Sequence, residues 1–176
     1  MHGVQANLRI VSPEVLYSDG GFCTVDGATV ALLKEMAAAS PRHRSRICFH
    51  ADADALQQEM LIVMHASSYV RPHRHLDKSE TLTVIEGTTD AVLFDSDGNV
   101  TDIIAMSDNR AGGSFFYRMP AGVYHTLVFR SEWLVFLETT MGPFDRARTE
   151  LAPWAPAEAE PVAGRVYLAA LTRPQP

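Results

Sequence analysis

Residues 67–87 read SSYVRPHRHLDKSETLTVIEG, and this stretch decides how the chain is to be folded. It carries His73-Arg74-His75, then Glu80, then Gly87. In an extended strand, residues two apart point to the same face, with Cβ atoms roughly 6.5–7 Å apart. Two imidazoles can lean together from that spacing and hold one ion at about 2.0–2.1 Å. Glu80 lies too far along the same strand to reach that ion. Leu76-Asp77-Lys78-Ser79 is polar enough to turn the chain, and Glu80–Ile85 is then expected to return as a strand beside the first. The reading is a metal site on a hairpin.

A further ligand stands downstream. Pro120-Ala121-Gly122-Val123-Tyr124-His125 sets a turn and a histidine ahead of the apolar run Thr126–Phe129. Together the two segments spell H-x-H-x4-E-x6-G and P-x-G-x2-H, which resembles the paired motifs of the cupin superfamily. The resemblance implies an all-β fold, a double-stranded β-helix or jelly-roll barrel, in which His73, His75, Glu80 and His125 bind one divalent metal. Ser67 stands where the first motif usually opens with glycine, and Phe129 where the second often closes with asparagine.

The remaining composition bounds the class. With 176 residues and 47% hydrophobic content the chain is long enough for one real core. A net charge of −6 and the lack of a basic cluster argue against nucleic acid or an anionic membrane as partners. Arg42-His43-Arg44-Ser45-Arg46 is the only basic run, and it reads as a solvated or substrate-edge segment. The opening residues lack an apolar signal region and no run approaches the ~20 residues of a membrane span, so a cytoplasmic location is expected. Cys23 and Cys48 have no metal-ligand spacing and read as reduced thiols.

Along the chain, residues 1–45 read as an N-terminal arm of low regularity followed by a helix. Asp26 is its N-cap, Val30, Leu33 and Ala37 share a face, and Pro41 stops it. Residues 46–140 read as the barrel. Met60–Met64 is apolar throughout, the mark of a strand buried on both faces. Further strands follow over 89–95, 100–106, 114–119, 124–130 and 133–138. Asp97-Gly98 is expected to be a hairpin turn and not a calcium loop. Residues 141–176 read as an irregular tail, rich in Pro, Ala and Glu, packed on the same domain through Trp154.

Several segments tighten the resemblance. Arg46-x-Cys48-Phe49-His50, Tyr69-Val70-Arg71-Pro72-His73-Arg74-His75, Lys78 ahead of Glu80, Gly142-Pro143-Phe144-Asp145 and Ala152-Pro153-Trp154-Ala155-Pro156 look like the WbuC-type cupin-fold metalloproteins. That family implies a cupin barrel, a bound metal, and, for some members, an association with surface-polysaccharide gene clusters.

Three imidazoles and one carboxylate suit Fe, Mn, Ni, Zn or Cu, and affinity order alone does not choose among them. Such a centre acts as a Lewis acid, or activates dioxygen where the metal is iron. Arg71, Lys78, Tyr117, Arg118 and His50 are candidates for binding a small-molecule ligand, and Glu138, Tyr117 and Lys78 for catalysis. Three functions are compatible with these residues. One is a metalloenzyme, isomerase- or lyase-type, on a small polar molecule such as a sugar or sugar-nucleotide derivative. Another is an iron-dependent oxygenase of a small acid or thiol, and the third a non-catalytic binding barrel. An open sheet edge makes a homodimer the expected assembly.

Overall fold

The computed structural model describes residues 8–171; residues 1–7 and 172–176, the ends of the expected arm and tail, lie outside them. In chain order the elements are β1 (Arg9–Ser12), β2 (Val15–Tyr17), α1 (Gly27–Ala39), β3 (Arg44–Cys48), β4 (Gln57–His65), β5 (His73–His75) and β6 (Glu80–Glu86). Then come β7 (Thr88–Phe94), β8 (Val100–Ser107), β9 (Phe116–Met119), β10 (Tyr124–Phe129), β11 (Trp133–Met141), a 3-10 turn (Arg146–Arg148), β12 (Thr149–Leu151) and α2 (Pro161–Ala169). They form a seven-stranded sheet in the order β1-β2-β3-β4-β11-β6-β9 and a five-stranded sheet in the order β12-β5-β10-β7-β8.

Strand alternation assigns each side chain to a layer. Ile62 and Met64 of β4, Leu82 and Val84 of β6, Leu127 of β10 and Leu134 and Phe136 of β11 meet between the sheets. The intervening Leu61, Val63 and Val135 point the other way, beneath Leu33 and Ala37 of α1. This explains the unbroken apolar run of β4, which is covered on both faces. Asp26 caps α1, its Oδ1 accepting from the Thr29 backbone and hydroxyl at 2.9 Å. Leu33 is fully buried, a contribution of roughly 1.5–3 kcal/mol to holding the helix on the sheet.

Three expectations are corrected. Residues 73–85 are not a hairpin: β5 pairs with β10 and β12, whereas β6 pairs with β11 and β9 in the other sheet. The arm is more regular than its sequence indicated, because β1 and β2 extend the larger sheet, β2 running parallel to β3. The tail is only partly irregular: residues 152–160 form no helix or strand, but regular elements flank them. It returns β12 to the edge of the smaller sheet and lays α2 across its back, where Leu168 and Trp154 pack with Val92, Phe94, Tyr124 and Val128. At the Asp97-Gly98 turn, Asp95 accepts from the backbone of Asp97 and Asn99 at 2.9 Å. Its carboxylate is thus spent on the turn itself. Among the described residues no helix is long and apolar enough to cross a membrane, and Cys23 and Cys48 are both free.

Candidate metal centre

Strands distant in sequence deliver the ring nitrogens. His73 and His125 are partners in the β5–β10 register, with ring centroids 4.7 Å apart. His75, on the same face of β5, lies 5.3 Å from His73 and 6.1 Å from His125. One nitrogen from each ring falls within 4.8 Å of the others. Every Nδ1 is already engaged: with the Arg71 carbonyl at 3.0 Å, the Val123 carbonyl at 2.9 Å and Thr149 Oγ1 at 3.1 Å. A carbonyl only accepts, so Nδ1 of His73 and His125 carries a proton and Nε2 is the atom left to face an ion.

Glu80 enters from the opposite sheet. Its Oε2 lies 3.0 Å from His75 Nε2 and its Oε1 3.1 Å from His125 Nε2, while the Tyr117 hydroxyl donates to Oε1 at 2.9 Å. Burial opposes charge on Glu80, yet hydrogen bonds from His125 and His75 hold it well below the usual carboxylate range. For His125 burial again opposes charge, but the Glu80 hydrogen bond and then the Glu80 charge raise it in turn. His73 is pushed down to about 4 by burial, reinforced by the charge of His125, and is neutral. Burial and then the Glu80 charge drive Tyr117 well above its ordinary value, so it remains a donor. An ionised carboxylate facing three imidazoles in a buried setting fits a divalent transition metal, and a cation there would compete with protons for His125.

The other expected residues separate into two groups. Glu138 faces inward, in line with Leu134 and Phe136 and between Leu82 and Met60 in register. Burial, with the charge of Glu80 next, pushes its carboxyl up to about 8. Lys78 is buried, with Nζ 5.6 Å from the Phe144 ring centroid, and burial lowers its pKa. Arg71 lines a cavity of about 520 Å³ that opens on His73 and His75. Arg118 is exposed and, one residue from inward-facing Tyr117, points off the outer face of β9. It lies away from the centre because alternation leaves it no other side. His50 is buried and satisfied, its Nδ1 accepting from the Glu59 backbone at 3.0 Å and its ring edge-on to Tyr17. It is absent from the cavity wall.

One feature escaped the sequence reading. Thr149, which holds His75, comes from the tail strand β12 in register with it. Arg44 and Arg46 line the cavity, in keeping with the substrate-edge alternative for the basic run, since Ser45 between them and Ile47 beyond turn to α1 and its cluster. The period-two spacing of the basic run was the available signal.

Residues 25–106 match the model of a domain of unknown function, DUF6016. No curated protein matches the chain. Among solved structures, CapF in complex with the inhibitor 3-isopropenyl-tropolone aligns at a TM-score of 0.51 and 16% identity, over 64% of this chain and 32% of its own. Oxalate decarboxylase from Bacillus subtilis gives 0.48 at 15% identity, over 61% of this chain and 27% of its own. A sugar phosphate isomerase of the cupin superfamily from Silicibacter pomeroyi gives 0.40 at 21% identity, over 50% and 52%. The chain thus spans from about a quarter to a half of the length of these proteins. With two facing sheets, few helices and the likeness to CapF, it has the cupin fold.

Proposed function

We propose that this chain is a WbuC-type, mononuclear metalloenzyme acting on a small polar molecule, with His73, His75, Glu80 and His125 as ligands and Glu138 as the acid–base group. The observation that carries the reading is the buried convergence of three Nδ1-anchored imidazoles on one ionised carboxylate. A divalent ion held there supplies Lewis acidity. Glu138 projects into the same interior, and in the metal-free protein burial raises its pKa to about 8, which suits a carboxyl that exchanges a proton with a substrate. Proton transfer of this kind is the core of an isomerase- or lyase-type reaction. A sugar or sugar-nucleotide substrate rests on the WbuC resemblance alone, as does a role in surface-polysaccharide metabolism. A homodimer through the edge strand β9, where Phe116 is half exposed, belongs to the same proposal, as does a cytoplasmic location.

The test is metal content by mass spectrometry, on the native protein and on a His73→Ala His125→Ala double variant. About one equivalent of a transition metal in the native protein, lost in the variant, is the expected result. A native protein that is empty and also refuses Fe(II), Mn, Ni and Zn overturns the proposal. Substrate-dependent oxygen uptake by an iron form would move the assignment to an oxygenase.

A further inference from the structure

Five arginines line the cavity that opens on His73 and His75, namely Arg42, Arg44, Arg46, Arg71 and Arg146, against two acids, Glu14 and Glu158. In a chain of net charge −6 this wall is locally cationic. Three of the five are committed elsewhere. Arg42 pairs with Glu14, and Arg44 with Glu158 at 3.3 Å. Arg71 donates from Nε and Nη2 to the Ala152 carbonyl at 3.2 and 2.6 Å. Arg146 is exposed at the rim.

Arg46 is different. It faces inward from β3, opposite Ile62 in register, and its Nε is buried without a hydrogen-bond partner. Among the described residues it forms none of the ion pairs that hold Arg42 and Arg44. The Cys48 thiol beside it is a weak partner, and burial keeps that thiol neutral by raising its pKa. The charge of Arg46 also acts on the Glu138 carboxyl, with no ion pair between them. Buried donors are normally satisfied, and a guanidinium with an unpaired Nε–H on a cavity wall is met best by a planar or tetrahedral oxyanion that accepts two of its N–H groups. Ile62, Met64 and Val70 complete that wall with apolar surface suited to a short carbon body.

We propose that Arg46 anchors an oxyanion, the carboxylate or phosphate group of a small substrate whose other end lies against His73 and His75. This deepens the metalloenzyme reading by naming the substrate class, but the anchor itself does not depend on a bound metal. The test is calorimetric titration of inorganic phosphate and of malonate into metal-loaded and chelator-treated full-length protein, with metal uptake measured on the same samples. Native protein is expected to bind at least one anion in both forms, more weakly as salt rises. Arg46→Gln is expected to weaken that binding about tenfold or more, the scale of a lost charge-assisted hydrogen bond. Arg110→Gln, on an exposed loop, leaves it unchanged. Arg46→Lys keeps a cation in place should Arg46→Gln fail to fold, and it also weakens binding because an ammonium lacks the fork. A preference for phosphate identifies a phosphorylated substrate, and a preference for malonate a carboxylic acid. Native protein that binds neither anion, or an Arg46→Lys variant that binds as the native does, overturns the anchor. Arg46-dependent binding in a protein that takes up no metal would leave the anchor standing and remove the metalloenzyme instead.

Discussion

Oε2 of Glu80 and Nε2 of His75 lie 3.0 Å apart although their strands belong to different sheets. The four expected ligands therefore straddle the interior, with three on the five-stranded sheet and one on the seven-stranded sheet. An ion bound by all four would cross-link the two layers, and its binding free energy would add to folding stability. Free metal at a hundredfold excess over Kd contributes about 2.7 kcal/mol. Chelation is expected to lower Tm by several degrees in calorimetry, and Glu80→Gln to abolish most of that difference. A melting curve indifferent to metal would mean that the ion does not bridge the sheets.

Thr149 acts on the same centre from outside it. Its hydroxyl is the partner of His75 Nδ1 at 3.1 Å, and Thr149→Val removes that partner with little change in shape. Loss of an orienting partner of this type costs about 10- to 100-fold in metal affinity. Competition against a chromophoric chelator measures it, and unchanged affinity would mean that strand pairing alone orients His75.

The histidines were legible because ligand spacing is local, but the pairing of their strand was not. Periodicity tells which face a residue takes and is silent on which strand lies beside it. His73, His75 and Glu80 look like one hairpin for that reason, although their strands join different sheets. Glu138 shares the parity of Leu134 and Phe136, so its inward direction was readable. A charge at an inward position contradicts the burial rule, and only the nearby Lys78, Arg46 and His125 make it tolerable. For Arg46 the same rule left the reading open between solvent and a substrate edge, since a charge in an alternating strand fits either. For α2, Pro161 at the start was the signal, masked by the proline- and alanine-rich segment before it.

Two glycines are fixed by close approach. Gly87, which closes the first motif, has φ +92°, and a Cβ there would strike the Trp133 carbonyl and come within 2.6 Å of Ser131 Oγ. Gly164 of α2 rests on the Tyr69 ring, which a Cβ would penetrate. Gly164→Ala gains about 1 kcal/mol of helix propensity, but it must push α2 off Tyr69. Both substitutions are expected to destabilise, Gly87→Ala by at least about 2 kcal/mol. Urea unfolding measures each, and a stabilised Gly164→Ala protein would show that α2 docks less closely than described.

Glu138 makes metal-free stability depend on pH. Its folded pKa of about 8 exceeds the ordinary 4.5, so between those values the folded state keeps a proton that the unfolded chain releases. Stability then falls as pH rises. The contribution is complete below about 4.5 and gone above about 8. Glu138→Gln has no proton to lose. Its stability relative to the native protein is therefore expected to climb from pH 5 to about pH 8 and then level off, the comparison cancelling every other group that titrates alike in both. Chelator must be present, because a cation nearby would favour the ionised form and flatten the difference. Denaturant titrations of the two proteins at several pH values supply the check. A constant offset across that range would place the Glu138 carboxyl in water, and with it would go the case for Glu138 as the acid–base group.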